Sequence, residues 1–163
     1  MRQSVTSSAA AHNGLQDKID AIRAYYRQSL NHVDVRAIAD SLAFDKSGRL
    51  DISGFFDKLH SLIRYLPDPT GAELIKAPWA MVDEIHERGF ASGDCDDLAS
   101  LAYTLLHMLG VSAKLIVGWY GGPSPTHIYV GVPQKTGGYL PFDLVWPAYG
   151  KTKRGAVRTR AYD

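Results

Sequence analysis

Gly93-Asp94-Cys95-Asp96-Asp97-Leu98-Ala99 decides how this chain reads. Asp94 suits the N-cap of a helix, and Asp97, three residues on, completes a capping box in which Asp replaces the usual Glu. The helix then carries Leu98, Leu101, Ala102, Leu105, Leu106 and Leu109 at helical steps, with Gly110 as its stop. Cys95 therefore becomes the first residue of an apolar helix. Unpaired amides and the helix dipole favour a thiolate there, whereas the carboxylates of Asp94, Asp96 and Asp97 oppose it. A cationic partner must supply much of any activation. A lone cysteine is most often a small buried hydrophobe, but this one stands at a polar helix start rather than in an apolar stripe.

Beyond the helix, three segments read as strands: Ala113 to Tyr120, His127 to Val132 and Tyr139 to Val145. Gly-Gly-Pro-Ser-Pro and Pro-Gln-Lys-Thr-Gly-Gly separate them as turns. Ahead of the cysteine the chain reads as helices. Leu15, Ile19, Ile22, Tyr26 and Leu30 form one stripe, and Val35, Ile38 and Leu42 a shorter one. Phe55, Phe56, Leu59, Leu62, Ile63 and Leu66 predict another helix, ended by Pro67-Asp68-Pro69. Trp79, Val82, Ile85 and His86 predict one more, with Pro78 in its first turn. Asp45 to Asp51 mimics part of a calcium loop, but its glycine is fourth and its twelfth position is Phe56, so it reads as a polar turn. Helices, a central helix and an antiparallel meander make an α+β protein.

Strand parity supplies Cys95 with partners. His127, Tyr129 and Gly131 share one face of their strand, while Tyr139, Pro141, Asp143 and Val145 share one face of the next. A loop symmetric about Lys135 would set His127 directly opposite Asp143, within hydrogen-bonding reach. A nucleophile at a helix start, an imidazole on a strand and a carboxylate to orient it form a thiol triad.

Three blocks carry a resemblance: Gly93 to Ala99, Thr126-His127-Ile128-Tyr129-Val130 and Tyr139-Leu140-Pro141-Phe142-Asp143. They resemble the signature blocks of the transglutaminase-like cysteine-enzyme superfamily, in the order Cys, His, Asp with gaps of 32 and 16 residues. The stretch from Tyr65-Leu66-Pro67-Asp68-Pro69 to the cysteine is similar to transglutaminase-like proteins of tailed phages and prophages. The resemblance implies a papain-like α+β core with Cys95 as nucleophile, His127 as base and Asp143 as orienting acid, and no metal or organic cofactor. It also implies a substrate that is a peptide or protein amide, handled by hydrolysis or by acyl transfer to an amine. Residues 1–50 are expected as an N-terminal helical extension, 51–150 as the catalytic core and 151–163 as a basic tail.

An oxyanion hole needs the Cys95 backbone N–H and a second donor; Trp79 is a candidate, and Trp119 and Tyr129 are candidates for lining the acyl pocket. A core tryptophan is the simpler reading of Trp79, and aromatic packing explains Trp119 and Tyr129 equally simply. His107 lies about three turns down the helix from Cys95, too far for catalysis, and His12, His32, His60 and His86 lack ligand spacing.

Composition sets the outer bounds. The chain has 163 residues, one cysteine and 45% apolar residues, which fits one folded domain and excludes a disulfide or multi-thiolate zinc site. No apolar run suffices to span a membrane, and Met1 to Asn13 lacks the apolar core of a secretory signal, so a cytoplasmic setting is expected, or a virion if the protein is phage-encoded. Residues 1–150 carry 13 Lys and Arg against 16 Asp and Glu, which argues against nucleic acid as the main partner. The last thirteen residues carry five basic residues against Asp163 and are expected as a solvated, disordered end that could touch nucleic acid or an acidic partner. Two other readings stand beside the thiol enzyme. One is a cell-wall peptidase of the Asp-Cys-Ser-Gly type, for which Asp96-Asp97 stand where Ser-Gly is required. The other is a catalytically inactive scaffold or virion component, in which acidic neighbours around Cys95 cost nothing.

Overall fold

The computed structural model describes residues 9–11, 14–67 and 74–163. Most of the Ser/Ala-rich start, His12 and the Asp68-Pro69 stop lie outside the described residues. The described elements run β1 (Ala9–Ala11), α1 (Leu15–Ser29), α2 (Val33–Ala43), α3 (Ile52–His60), β2 (Ile63–Tyr65), β3 (Leu74–Lys76), α4 (Pro78–Arg88), β4 (Ala91–Gly93), α5 (Cys95–Met108), β5 (Lys114–Trp119), β6 (His127–Pro133), β7 (Tyr139–Phe142) and β8 (Arg158–Tyr162).

The architecture is α+β, with helix α5 at its centre. Every residue from Asp96 to Leu106 is buried, because α1, α2 and α4 pack on α5 from one side and the sheet strands β5 and β6 from the other. A helix apolar on all sides is stable only when enclosed in this way. Fully burying each of Leu101, Leu105 and Leu106 contributes about 2 kcal/mol. Helix α1 turns Ile19, Ile22 and Tyr25 inward, and α4 starts on Pro78 and stops on Gly89 at φ +85°, where a residue with a side chain would be strained.

The main sheet is antiparallel in the order β7-β6-β5-β8. Ile128, Val130 and Val132 of β6 join Leu115 and Val117 of β5 in the core, as period-two alternation requires. Asp45 is bonded within its own turn, its Oδ1 accepting from the Ser47 and Arg49 backbone N–H groups. Among the described residues no helix is long and apolar enough to cross a membrane.

Two expectations are corrected. The helix predicted over Phe55 to Leu66 stops at His60, and Ile63–Tyr65 forms a strand parallel to Ala91–Gly93. The backbone at Leu62 accepts from Ala91 N–H and that at Leu66 donates to the Gly93 carbonyl. Pairing with the segment that leads into Cys95 thus overrides the local helical spacing, and Ile63 and Tyr65 suit a strand. The basic end is ordered rather than loose. Residues 158–162 pair with β5 along its other edge, and the end is tied by Lys114 to the Asp163 carboxylate and by Arg23 Nε to the Asp163 carbonyl.

Candidate active site

The capping box predicted at Cys95 is formed at both ends. Asp94 accepts from the Asp96 and Asp97 N–H groups at 3.1 and 3.3 Å, and Asp97 Oδ2 accepts from Asp94 N–H at 3.0 Å. Asp97 Oδ1 also accepts from Lys76 N–H at 2.7 Å, tying the helix start to β3. Gly93 is needed here for space, because a Cβ on it would lie 2.6 Å from the Asp97 Cβ. The same carboxylate that completes the capping box thus ties β3 to the helix start, and Cys95 is held at the first helical position.

His127 opens β6, and Asp143 follows β7. Both are buried, at 7% and 2% exposure, and His127 Nε2 donates to Asp143 Oδ2 at 2.6 Å. The pair forms in a different register from the one expected. Val130 faces Phe142 and Pro133 faces Tyr139, so the hairpin is centred one residue beyond Lys135. His127 and Asp143 are therefore not direct partners. Asp143 has just left the strand, and the His127 ring spans the diagonal distance to it, as aromatic and long side chains can. The slip moves the partner by two residues and so preserves the face. Two further bonds hold the carboxylate: Val145 N–H donates to Oδ1 at 3.1 Å and Thr152 Oγ1 donates to Oδ2 at 2.7 Å. With Nε2–H committed to Asp143, Nδ1 is the ring nitrogen left to accept a proton.

Burial pushes the Cys95 thiol up to about 12; the Asp96 and Asp94 carboxylates push the same way, while the Ile128 backbone N–H and the Lys18 ammonium pull it down. Cys95 Sγ lies 3.7 Å from Asp96 Oδ1 and is oriented to donate to it. Asp96 is in turn paired with Lys18 of α1, at 2.9 Å. Lys18 is a cation near the thiol that the sequence did not reveal beside His127. Its position within a solvated helix face gave no signal, since only the docking of α1 brings it to Cys95.

Cys95 and His127 line one cleft of about 600 Å³, together with Lys18, Asp94, Asp96 and Val117. The loop from Ser124 to Thr126 forms its outer wall. Tyr129 stacks on His127 with ring centroids 5.6 Å apart. Trp119 is buried beneath Arg158, whose guanidinium lies 4.1 Å from the ring. Trp79 packs against Tyr25 and His32, and none of Trp79, Trp119 and Tyr129 is among the residues lining the cleft. His107 bonds the Ala113 carbonyl at 2.7 Å, a structural task. Thr152 was not recognised in the sequence, because nothing local marks a threonine in a basic segment as a partner for Asp143.

No curated protein matches the chain. Among solved structures, a Cytophaga hutchinsonii protein provisionally described as a cysteine protease is similar, with 12% identity and a TM-score of 0.41 over 90% of this chain and 49% of that one. This chain thus spans about half the length of that relative. The sequence profile of the transglutaminase-like superfamily matches residues 36–144, a span that starts in α2 and takes in Cys95, His127 and Asp143. The chain belongs to the transglutaminase-like superfamily.

Proposed function

We propose that this protein is a cysteine-dependent hydrolase of peptide or amide bonds, working through a thioester on Cys95 with His127 and Asp143 as its partners. The observation that carries the reading is the buried His127–Asp143 bond at 2.6 Å beside the cleft that Cys95 lines. His127 Nδ1 takes the thiol proton as Sγ bonds to the carbonyl carbon, and Asp143 stabilises the imidazolium. The imidazolium then protonates the leaving amine as the C–N bond breaks, which leaves the thioester. Water, deprotonated by His127, attacks the thioester; the C–S bond breaks, the acid leaves and Sγ regains a proton. An amine in place of water would give acyl transfer by the same first half. Hydrolysis is preferred because exposed Ser124 and Thr126 border the cleft and leave it open to water. An intracellular setting, where a single thiol stays reduced, suits this chemistry.

The raised thiol pKa favours a second reading. A thiol held protonated beside Asp96 also suits a scaffold or structural component, such as a phage particle would use, that keeps the fold without the reaction. Blocked peptides incubated with the protein, with and without an added primary amine, separate the readings by mass spectrometry. Cleavage or glutamine deamidation supports hydrolysis, and amine incorporation supports transfer; each must vanish in Cys95→Ala. Unchanged peptides throughout support the scaffold.

A further inference from the structure

Strand β8 is an edge strand that the superfamily profile does not reach, since the match ends at residue 144. The two edges of the sheet differ. At β7, Pro141 removes one donor, and its carbonyl accepts from Gly150 N–H at 2.9 Å, so this edge is blunted. At β8, residues Arg158 to Ala161 are exposed, and no further strand pairs with β8 among the described residues. An edge of this kind offers a row of backbone donors and acceptors to another extended chain.

The register gives this edge a charge and a direction. Arg158 pairs with Trp119 and Arg160 with Val117, so both arginines stand on the face that Val117 presents to the Cys95 cleft. Aromatic rings hold the cations in place. The Arg158 guanidinium lies 4.1 Å from the Trp119 ring centroid, Arg160 lies 4.9 Å from Tyr162, and Lys153 lies 4.2 Å from Tyr120. Stacked cations lose less freedom on binding an anion than free ones do. A second copy of the strand would set like charges against each other, which disfavours self-pairing. Double-stranded or single-stranded nucleic acid would use the charge but not the backbone groups of the edge.

We infer that the free edge of β8 docks an extended peptide segment with acidic residues at alternate positions, beside the Cys95 cleft. Backbone hydrogen bonds to β8 supply affinity, and Arg158 and Arg160 select for carboxylates. Such a segment would be part of the partner that presents its amide to the cleft, but docking does not require the thiol chemistry.

The test uses the full chain carrying Cys95→Ala, so that failure of docking and failure of the acyl chemistry are read separately. A short fluorescent peptide alternating glutamate and valine is titrated by anisotropy, alongside its lysine counterpart, its backbone N-methylated form and a single-stranded oligonucleotide of equal charge. The acidic peptide is expected to bind at least roughly tenfold tighter than each of the other three. R158E/R160E should abolish that preference, and R158K/R160K, which keeps the charge on the exposed edge, should retain most of it. Equal binding of the N-methylated peptide, tighter binding of the oligonucleotide, or an unchanged preference in R158E/R160E would each overturn the inference.

Discussion

His127 donates from Nε2 to Asp143 at 2.6 Å, although the two residues are not register partners in the β6–β7 hairpin. The bond is secured by what holds the carboxylate. Val145 N–H and Thr152 Oγ1 fix its two oxygens, so Asp143 is aimed at the ring by the chain that follows it as well as by the sheet.

Asp143→Asn is expected to lower kcat by on the order of 10³–10⁴, as loss of the orienting carboxylate does in triads of this logic. The melting temperature should change little, because an amide oxygen can still accept from Thr152 or Val145. Turnover of the peptide amide found in screening, followed with thermal unfolding, checks both halves.

Thr152→Val removes a donor from the oxygen that also receives His127. With that donor gone, the carboxylate is held less firmly against the imidazole, so kcat/KM should fall by the equivalent of about 1–2 kcal/mol. Thr152→Ser should restore it. Turnover of the three proteins side by side checks this; an unchanged kcat/KM in Thr152→Val would mean that Thr152 only fills space.

Lys18→Ala should slow alkylation of Cys95 at pH 8 several-fold, because it leaves the Asp96 carboxylate unbalanced beside the sulfur. Asp96→Asn should speed alkylation, and in that background Lys18→Ala should have a much smaller effect. Additive effects across the double-mutant cycle would show that Lys18 acts elsewhere.

Stability should fall as pH rises through about 8.5, where half of an unfolded thiol is ionised. Burial pushes the folded thiol up to about 12, so between these values the unfolded state sheds a proton that the folded state retains. The effect fades well below pH 8.5 and approaches at most about 1.4 kcal/mol per pH unit above it. Urea midpoints between pH 7.5 and 9.5, below the range where the buried tyrosines titrate, should show this slope in the native protein and not in Cys95→Ala.

The helix at Cys95 was legible because its signals are local. Asp94 and Asp97 cap it, the leucines keep one period, and Gly110 at φ +82° follows its end. The facing of His127 and Asp143 was legible too, since parity survives a two-residue shift in partner, although the register itself depended on how the loop at Gly137 and Gly138 turns. Ile63 to Tyr65 misled because their strand exists only against residues 91–93. Lys18, Thr152 and β8 act across the tertiary structure, and composition alone made the end of the chain look unstructured.

The most direct measurement is intact-mass analysis of the protein mixed with a p-nitrophenyl ester acyl donor at neutral pH. The account predicts a burst of nitrophenol, one acyl group on Cys95, and a rate at least about a hundredfold lower in His127→Ala, within the range that a positioned base contributes. An adduct that forms equally fast without His127, or no adduct on Cys95 at all, would contradict it.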